Sequence, residues 1–175
     1  MTRSLKKGPF VDHHLQAKVD KAAKLGAFEP VVLEQEPNSD SAQAQKVTVP
    51  CDYVGQFATR ADEDWIQFDA KKGSVYYVEI VSQRFGLPTD PSVVIQRVTK
   101  DAMGVEKTND VTELDDDTKD LIGASFPTVN GDASYRLQVS EDSTYRVLVR
   151  DLYGSVGDPR RIYRLSIREP KPDFR

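Results

Sequence analysis

Short segments that alternate between apolar and polar residues recur along most of this chain and constrain its fold more than any other feature. Tyr135, Leu137 and Val139 alternate with polar residues, and the same pattern recurs over residues 145–149 and 163–167. Period-two alternation is typical of β-strands with one buried and one exposed face. Residues 74–82, apolar on both faces, predict an inner strand. Further short strands are predicted at 46–50, 53–58, 65–70 and 92–99.

Turn signals separate these strands, and no long helical pattern lies between them. They include Lys72-Gly73, the proline-bracketed residues 88–91, Asn130-Gly131-Asp132 and residues 154–159. At 175 residues the chain is long enough for one domain with a substantial core. We therefore predict an all-β fold, a jelly-roll-like antiparallel β-sandwich of about eight strands.

Charge and composition divide the chain into four parts. Residues 1–24 carry a net charge of +4, whereas the whole chain carries −4. We predict a basic N-terminal segment over 1–26, with a short helix near 12–25 that extends the sandwich. Residues 27–45 contain Pro30 and Pro37 and are predicted to be a linker with little regular structure. The sandwich is expected over 46–168, with its longest loop at roughly 100–133 and a tail at 169–175.

Several functional classes are disfavoured by what the sequence lacks. No apolar run is long enough to cross a membrane, and residues 1–22 lack the apolar core of a secretory signal. As written, the chain is therefore expected in the cytoplasm. Its two histidines, His13 and His14, are adjacent and outside the strand-rich part, which argues against zinc binding and histidine-dependent hydrolysis. Cys51, the single cysteine, is expected to be a buried inert thiol. We predict that the chain is not an enzyme.

Oxygen-bearing side chains precede β-strands at two separated points. Glu34, Glu36 and Asn38 lie in the irregular segment, and Asp62 and Asp64 lead into the strand at 65–70. Calcium takes six to eight oxygen ligands from such irregular backbone. The alternative is that these are solvated turn residues.

Two other features have the same kind of double interpretation. The run Asp115–Asp117 could form a second metal site or a solvated acidic loop. Trp65 is expected to be a core anchor rather than a platform for a sugar ring.

The stretch from Glu34 to Phe68 resembles the bacterial pre-peptidase C-terminal domain family. The matching elements are Glu34-Gln-Glu36-Pro37-Asn38, Asp62-Glu-Asp64-Trp65-Ile-Gln-Phe68, the aliphatic strand Val75–Val81 and the final strands around residues 143–149 and 163–167. The resemblance covers residues 31–168.

This resemblance implies a jelly-roll-like β-sandwich without catalytic activity, of the kind appended to secreted proteases and other extracellular hydrolases. It implies a secreted or cell-surface parent protein and an extracellular protein or polysaccharide as partner. Separately, we predict that the chain is a monomer. It also implies a calcium ion (Ca²⁺) held by Glu34, Glu36, Asn38, Asp62 and Asp64.

Residues 2–22 are similar to a different family, the N-terminus of protein nineteen of the small ribosomal subunit. The run from Arg3 to Leu15 carries this resemblance, whereas the later basic signatures of that family are absent. It implies an alternative function, ribosomal RNA (rRNA) binding, with Arg3, Lys6 and Lys7 on phosphates. A gene fusion, a chimeric assembly and a deliberately recombined chain would each produce such an N-terminal segment.

Overall fold

The computed structural model describes residues 29–117, 129–152, 154 and 156–170. It contains ten β-strands and two short 3₁₀ turns, Ser41–Gln43 and Gln83–Phe85. The strands are β1 Val31–Leu33, β2 Gln45–Lys46, β3 Cys51–Gln56, β4 Glu63–Ala70, β5 Val75–Val81, β6 Pro91–Lys100, β7 Glu106–Leu114, β8 Ser134–Gln138, β9 Ser143–Asp151 and β10 Ile162–Arg168. The predicted N-terminal helix and the segment similar to the ribosomal protein, with Arg3, Lys6 and Lys7, lie outside the described residues.

The ten strands form two five-stranded sheets. The first has the order β1-β3-β10-β5-β8 and the second the order β2-β4-β9-β6-β7. Neighbouring strands are antiparallel except at two edges, where β1 runs parallel to β3 and β2 runs parallel to β4. The predicted all-β sandwich is therefore confirmed. It has ten strands where about eight were expected, and parallel pairing at two edges where only antiparallel pairing was expected.

The core lies between the two sheets and is built by alternation along each strand. In β4, Ile66 and Phe68 are fully buried, and they pair in register with Val147 and Tyr145 of β9. From the first sheet, β10 contributes Tyr163, Leu165 and Ile167 to the same cluster. Burial of this apolar surface is the main term that stabilises the sandwich.

One prediction about an irregular segment was wrong, because strand β7 lies in the predicted long loop. The predicted linker contains the short strand β1. β7 is an edge strand with mostly exposed residues, so neither face needs the apolar alternation by which strands are recognised. β1 has three residues, too few for a pattern. The division into domains stays a prediction.

The segment between β1 and β2 passes from the first sheet to the second. At its start, the Glu34 amide donates to the Val54 carbonyl at 2.9 Å, and just after β2 the Val47 amide donates to the Gln67 carbonyl at 2.9 Å. We call residues 34–44 the crossing segment. It covers the edge of the sandwich formed by β3 and β4.

None of the helical turns in the described ranges has the length and apolar character needed to span a bilayer.

Candidate metal centre

Asp64 is a carboxylate at a position where β4 points into the sandwich. Its neighbours on that face, Ile66 and Phe68, belong to the apolar core, and Asp64 itself is fully buried. Burial, followed by the close approach of the Glu34 carboxyl group, raises the pKa of Asp64 to about 9. An inward-facing aspartate is costly unless a cation or strong donors compensate its charge.

The crossing segment brings two more carboxylates to Asp64. Oxygen atoms of Glu34, Glu36 and Asp64 all lie within 4.8 Å of one another. The backbone positions both glutamates: the Gln56 amide donates to Glu34 Oε2 at 2.7 Å, and the Asn38 amide donates to Glu36 Oε2 at 2.9 Å. This arrangement concentrates negative charge at one point on the edge of the sandwich.

Asn38 completes the polar cluster from the same segment. It is fully buried, and its backbone carbonyl oxygen accepts a hydrogen bond from the Trp65 backbone amide at 3.0 Å, which holds the segment against β4. Its Nδ2 makes only long contacts, 3.4 Å to the Tyr53 hydroxyl and 3.5 Å to Glu34 Oε1. The sequence-predicted residues Glu34, Glu36, Asn38 and Asp64 therefore lie together.

Two buried oxygen atoms in this cluster have no hydrogen-bond partner, Asn38 Oδ1 and Asp64 Oδ1. Leaving a buried polar atom unsatisfied costs about 1–3 kcal/mol, and more for a charged group. A cation would satisfy both oxygens and neutralise the carboxylates. An all-oxygen donor set of three carboxylates and one amide matches the ligands that calcium prefers.

Asp62, the fifth predicted ligand, has a different role in the described structure. Its carboxylate accepts from the Thr59 amide at 3.1 Å and from the Thr59 hydroxyl at 3.2 Å. These bonds cap the turn that leads into β4. Asp62 is not part of the carboxylate group formed by Glu34, Glu36 and Asp64, and its role as a ligand stays a prediction.

Tyrosines from two other strands support the cluster, and the sequence analysis did not assign them to it. The Tyr163 hydroxyl of β10 donates to Asp64 Oδ2 at 2.7 Å, and the Tyr53 hydroxyl of β3 donates to Gln45 Oε1 at 2.9 Å. Gly55 makes room for Tyr163, because a Cβ at position 55 would lie 2.5 Å from the tyrosine ring and hydroxyl. No local sequence signal marks this contact, since Tyr163 lies far from Asp64 along the chain.

A shallow groove gives access to the cluster from solvent. Its volume is about 300 Å³, and Glu34 and Glu36 line it together with the apolar residues Leu33, Val54 and Ile162. Glu36 is exposed and Glu34 is half-buried, whereas Asp64 lies behind them. Asp64 does not line the groove, so an ion entering from solvent would meet the two glutamates first.

Other sequence-predicted features lie elsewhere. In the described part of the chain, Asp115, Asp116 and Asp117 do not form a comparable carboxylate group, and Asp117 Oδ2 accepts from the Ser134 hydroxyl at 2.7 Å. The expectation of a core role for Trp65 was wrong: because Asp64 and Ile66 point inward, Trp65 faces outward and is half-buried. Cys51 is buried, and burial raises the pKa of its thiol to about 11.

Comparison with known proteins gives structural similarity at low identity. No family model matches the chain. The structure is similar to the pre-peptidase C-terminal domain of a collagenase from Bacillus anthracis, with a TM-score of 0.44, 12% identity, and coverage of 77% of this chain and 100% of that domain.

Two further solved structures are similar to this chain. For PliG of Aeromonas hydrophila, a periplasmic inhibitor of g-type lysozyme, the TM-score is 0.40 at 14% identity over 79% of this chain and 96% of that one. For CorA of Methylomicrobium album BG8, a surface-associated copper-binding protein, it is 0.40 at 11% identity over 73% and 98%. The kind of domain indicated by the sequence motifs is thus among the solved structures to which this chain is similar.

Proposed function

We propose that this chain is a non-catalytic β-sandwich module braced by a calcium ion, of the kind appended to secreted peptidases and other extracellular proteins. One observation carries the proposal: the buried, unsatisfied oxygens of Asp64 and Asn38 lie beside the carboxylates of Glu34 and Glu36. The module would hold or target its parent protein by binding an extracellular protein or a polysaccharide.

Calcium fits this cluster better than other common ions. Zinc prefers nitrogen and sulfur ligands, and the cluster offers oxygen alone. Magnesium needs near-ideal octahedral geometry and keeps several waters, so it uses few protein ligands. Three carboxylates supply the charge, and the amide oxygen of Asn38 and water would complete the larger coordination number of calcium.

The ion would act as a brace, because its ligands come from two parts of the fold. Glu34, Glu36 and Asn38 belong to the crossing segment, and Asp64 belongs to β4. An ion bound to both holds the segment against the edge of the sandwich. Since the ligands are brought together only in the folded chain, calcium binding adds directly to the free energy of unfolding.

Thermal unfolding in calcium and in chelator tests the proposal. At a free calcium concentration about 100-fold above the dissociation constant, binding to the folded state adds about 2.7 kcal/mol. For a chain of this size, each kcal/mol raises the melting temperature by roughly 2–4 °C. We expect this rise in the unaltered protein and its loss in Asp64→Asn and Glu36→Ala.

Glu63→Gln is the matched control, because Glu63 is adjacent to Asp64 in sequence but lies on the opposite face of β4. It should keep the full calcium-induced rise. Asp62→Asn separates the two roles of that residue: loss of the rise assigns Asp62 to the ion, and a kept rise with lower stability assigns it to the turn. Absence of any calcium-dependent shift in the unaltered protein would refute the calcium brace.

A further inference from the structure

The groove at the metal centre has apolar walls that are partly open to solvent. Leu33 and Ile162 line it and are 66% and 44% exposed. Val31, two residues before Leu33 on the same face of β1, is 64% exposed. Apolar side chains gathered beside polar groups in this way are typical of a surface that binds another segment.

The same groove has an acidic end that lacks a counter-charge. Glu34 and Glu36 line the groove, and oxygens of both lie within 4.8 Å of each other and of Asp64. Among the described residues, no lysine or arginine forms an ion pair with any of these three carboxylates. The basic N-terminal segment is opposite in sign, with a net charge of +4 over residues 1–24. Its charge therefore complements that of the groove.

The sequence of this segment also complements the apolar walls. Lys18 comes three residues after Leu15 and four before Ala22, so the helix predicted near 12–25 has all three on one stripe. Lys24 falls on the far side of that helix, because 3.6 residues make one turn. A lysine within an apolar stripe matches a groove whose apolar walls end in carboxylates.

The length of the connecting chain brings Lys18 to the acidic end of the groove. Each residue of an α-helix advances 1.5 Å, so Lys18 lies about 10 Å before the end of the predicted helix. Each residue of a strand advances about 3.3 Å, so Glu34 lies about 10 Å beyond Val31. A turn after Gly26, the predicted end of the helix, therefore lays the helix antiparallel to β1 with Lys18 level with Glu34.

We infer that the basic N-terminal segment docks on this groove when calcium is absent, with the ammonium group of Lys18 between the carboxylates of Glu34 and Glu36. The four-carbon stem of the lysine lies along Leu33 and Ile162, as lysine stems commonly do on apolar surface. Its ammonium group has three N–H donors, enough to serve both glutamates.

Docking of the segment regulates the metal centre by competition. Calcium and Lys18 require the same glutamate oxygens, so a docked segment lowers the apparent affinity for calcium. Asp64 does not line the groove and is not contacted by Lys18. The inference rests on the metal centre of the proposed function and adds a competitor that belongs to the chain itself.

Carbodiimide cross-linking of the full chain in chelator tests the contact directly. The reagent joins an amine to a carboxylate when the two groups are in contact. Mass spectrometry should find Lys18 joined to Glu34 or Glu36. In a mixture of ¹⁴N-labelled and ¹⁵N-labelled copies, the two joined peptides should carry the same label. Excess calcium should suppress this product.

Calcium titration by calorimetry measures the competition. Lys18→Gln should bind calcium about tenfold more tightly than the unaltered full chain, the factor expected if about nine molecules in ten are docked. Lys24→Gln is the matched control, because it removes the same charge from the far side of the predicted helix. It should leave the Lys18 product and the calcium affinity nearly unchanged. Circular dichroism checks that both variants keep the β-sandwich.

Four outcomes would overturn the inference: no Lys18 product in chelator, equal yields of Lys18 and Lys24 products, products that join only differently labelled copies, or equal calcium affinity in Lys18→Gln and Lys24→Gln. The same experiments separate this inference from the calcium brace. A Lys18 product in a chain that binds no calcium refutes the brace alone, and calcium binding without a Lys18 product refutes the docking alone.

Discussion

The Tyr163 hydroxyl donates a 2.7 Å hydrogen bond to Asp64 Oδ2 across the interior of the sandwich, and the other carboxylate oxygen, Asp64 Oδ1, accepts no hydrogen bond. This contact orients the carboxylate toward Glu34 and Glu36. Removing groups that orient metal ligands commonly weakens metal affinity about 10–100-fold. We therefore expect Tyr163→Phe to weaken calcium binding by about tenfold or more, measured by isothermal titration calorimetry.

Tyr145→Phe is the control for this prediction. Tyr145 is also a buried tyrosine, but it packs on Phe68 in the core and does not contact the metal centre. Its variant should bind calcium as the unaltered protein does. Equal affinity in the Tyr163 and Tyr145 variants would show that the hydroxyl of Tyr163 does not orient Asp64 for an ion.

Gly55→Ala should disturb the same contact from the opposite side. The added Cβ would lie 2.5 Å from Tyr163 Cζ and Oη, closer than real contacts allow, so the tyrosine ring must move. Overpacking of a well-packed interior costs about 1–3 kcal/mol. We expect a loss of this size in urea unfolding, together with weaker calcium binding. Unchanged stability would mean that the ring has room to shift.

The calcium-free protein should lose stability through Asp64 as the pH rises. Burial, followed by the close approach of the Glu34 carboxyl group, raises the pKa of Asp64 to about 9, against about 3.9 in the unfolded chain. Between these values the folded state holds a proton that the unfolded state has released, so its advantage is complete below pH 4 and declines toward pH 9.

Melting temperatures in chelator, at pH 5 and pH 8, check this prediction. Asp64→Asn lacks the titrating group, so the melting temperature of the unaltered protein should fall relative to that of the variant as the pH rises. Calcium should remove most of this fall, because it stabilises the ionised carboxylate. Parallel pH profiles for the two proteins in chelator would contradict a raised pKa of Asp64.

Asp132 is expected to be among the most sensitive positions outside the metal centre. It is fully buried and accepts hydrogen bonds from the amides of Ser82, Gln83 and Arg84 and from the Arg84 guanidinium. Asp132→Ala leaves these donors unsatisfied, and we expect a loss of about 3–5 kcal/mol in urea unfolding. Asp142→Ala is the control: Asp142 caps an exposed turn at the Lys72 amide, and its loss should matter little. Similar losses for both variants would refute this assignment.

The central strands were predictable from sequence because their inward-facing and outward-facing positions carry different kinds of residue. In β4 and β9, apolar residues at every second position face the core. The positions between them are mostly polar, so the two-residue repeat of a β-strand is visible in the sequence. Edge strands carry no such constraint. β7 has Glu106, Asp110 and Glu113 among mostly exposed residues, so its ladder with β6 is decided by backbone pairing rather than by side-chain pattern.

The candidate metal centre was only partly predictable, for a related reason. Glu34, Glu36 and Asn38 belong to one local motif and Asp64 to a second, and their oxygen atoms suggest an ion before any fold is known. Tyr163 joins them from a strand about a hundred residues away, through tertiary packing that no local pattern encodes. Trp65 was predicted to lie in the core and instead faces outward. The inward positions of Ile66 and Phe68 determine this direction, because side chains alternate along a strand.

The crossing segment shields the edge of the sandwich, since β1 and β2 lie along β3 and β4 at the borders of the two sheets. β1 and β2 are only three and two residues long, so they hold those borders weakly by themselves. If chelation frees the segment, the unpaired backbone of β3 and β4 becomes a template for strands of other copies. Calcium would then prevent aggregation of the folded protein. Removal of the ion should produce oligomers and proteolytic cleavage of the crossing segment before global unfolding.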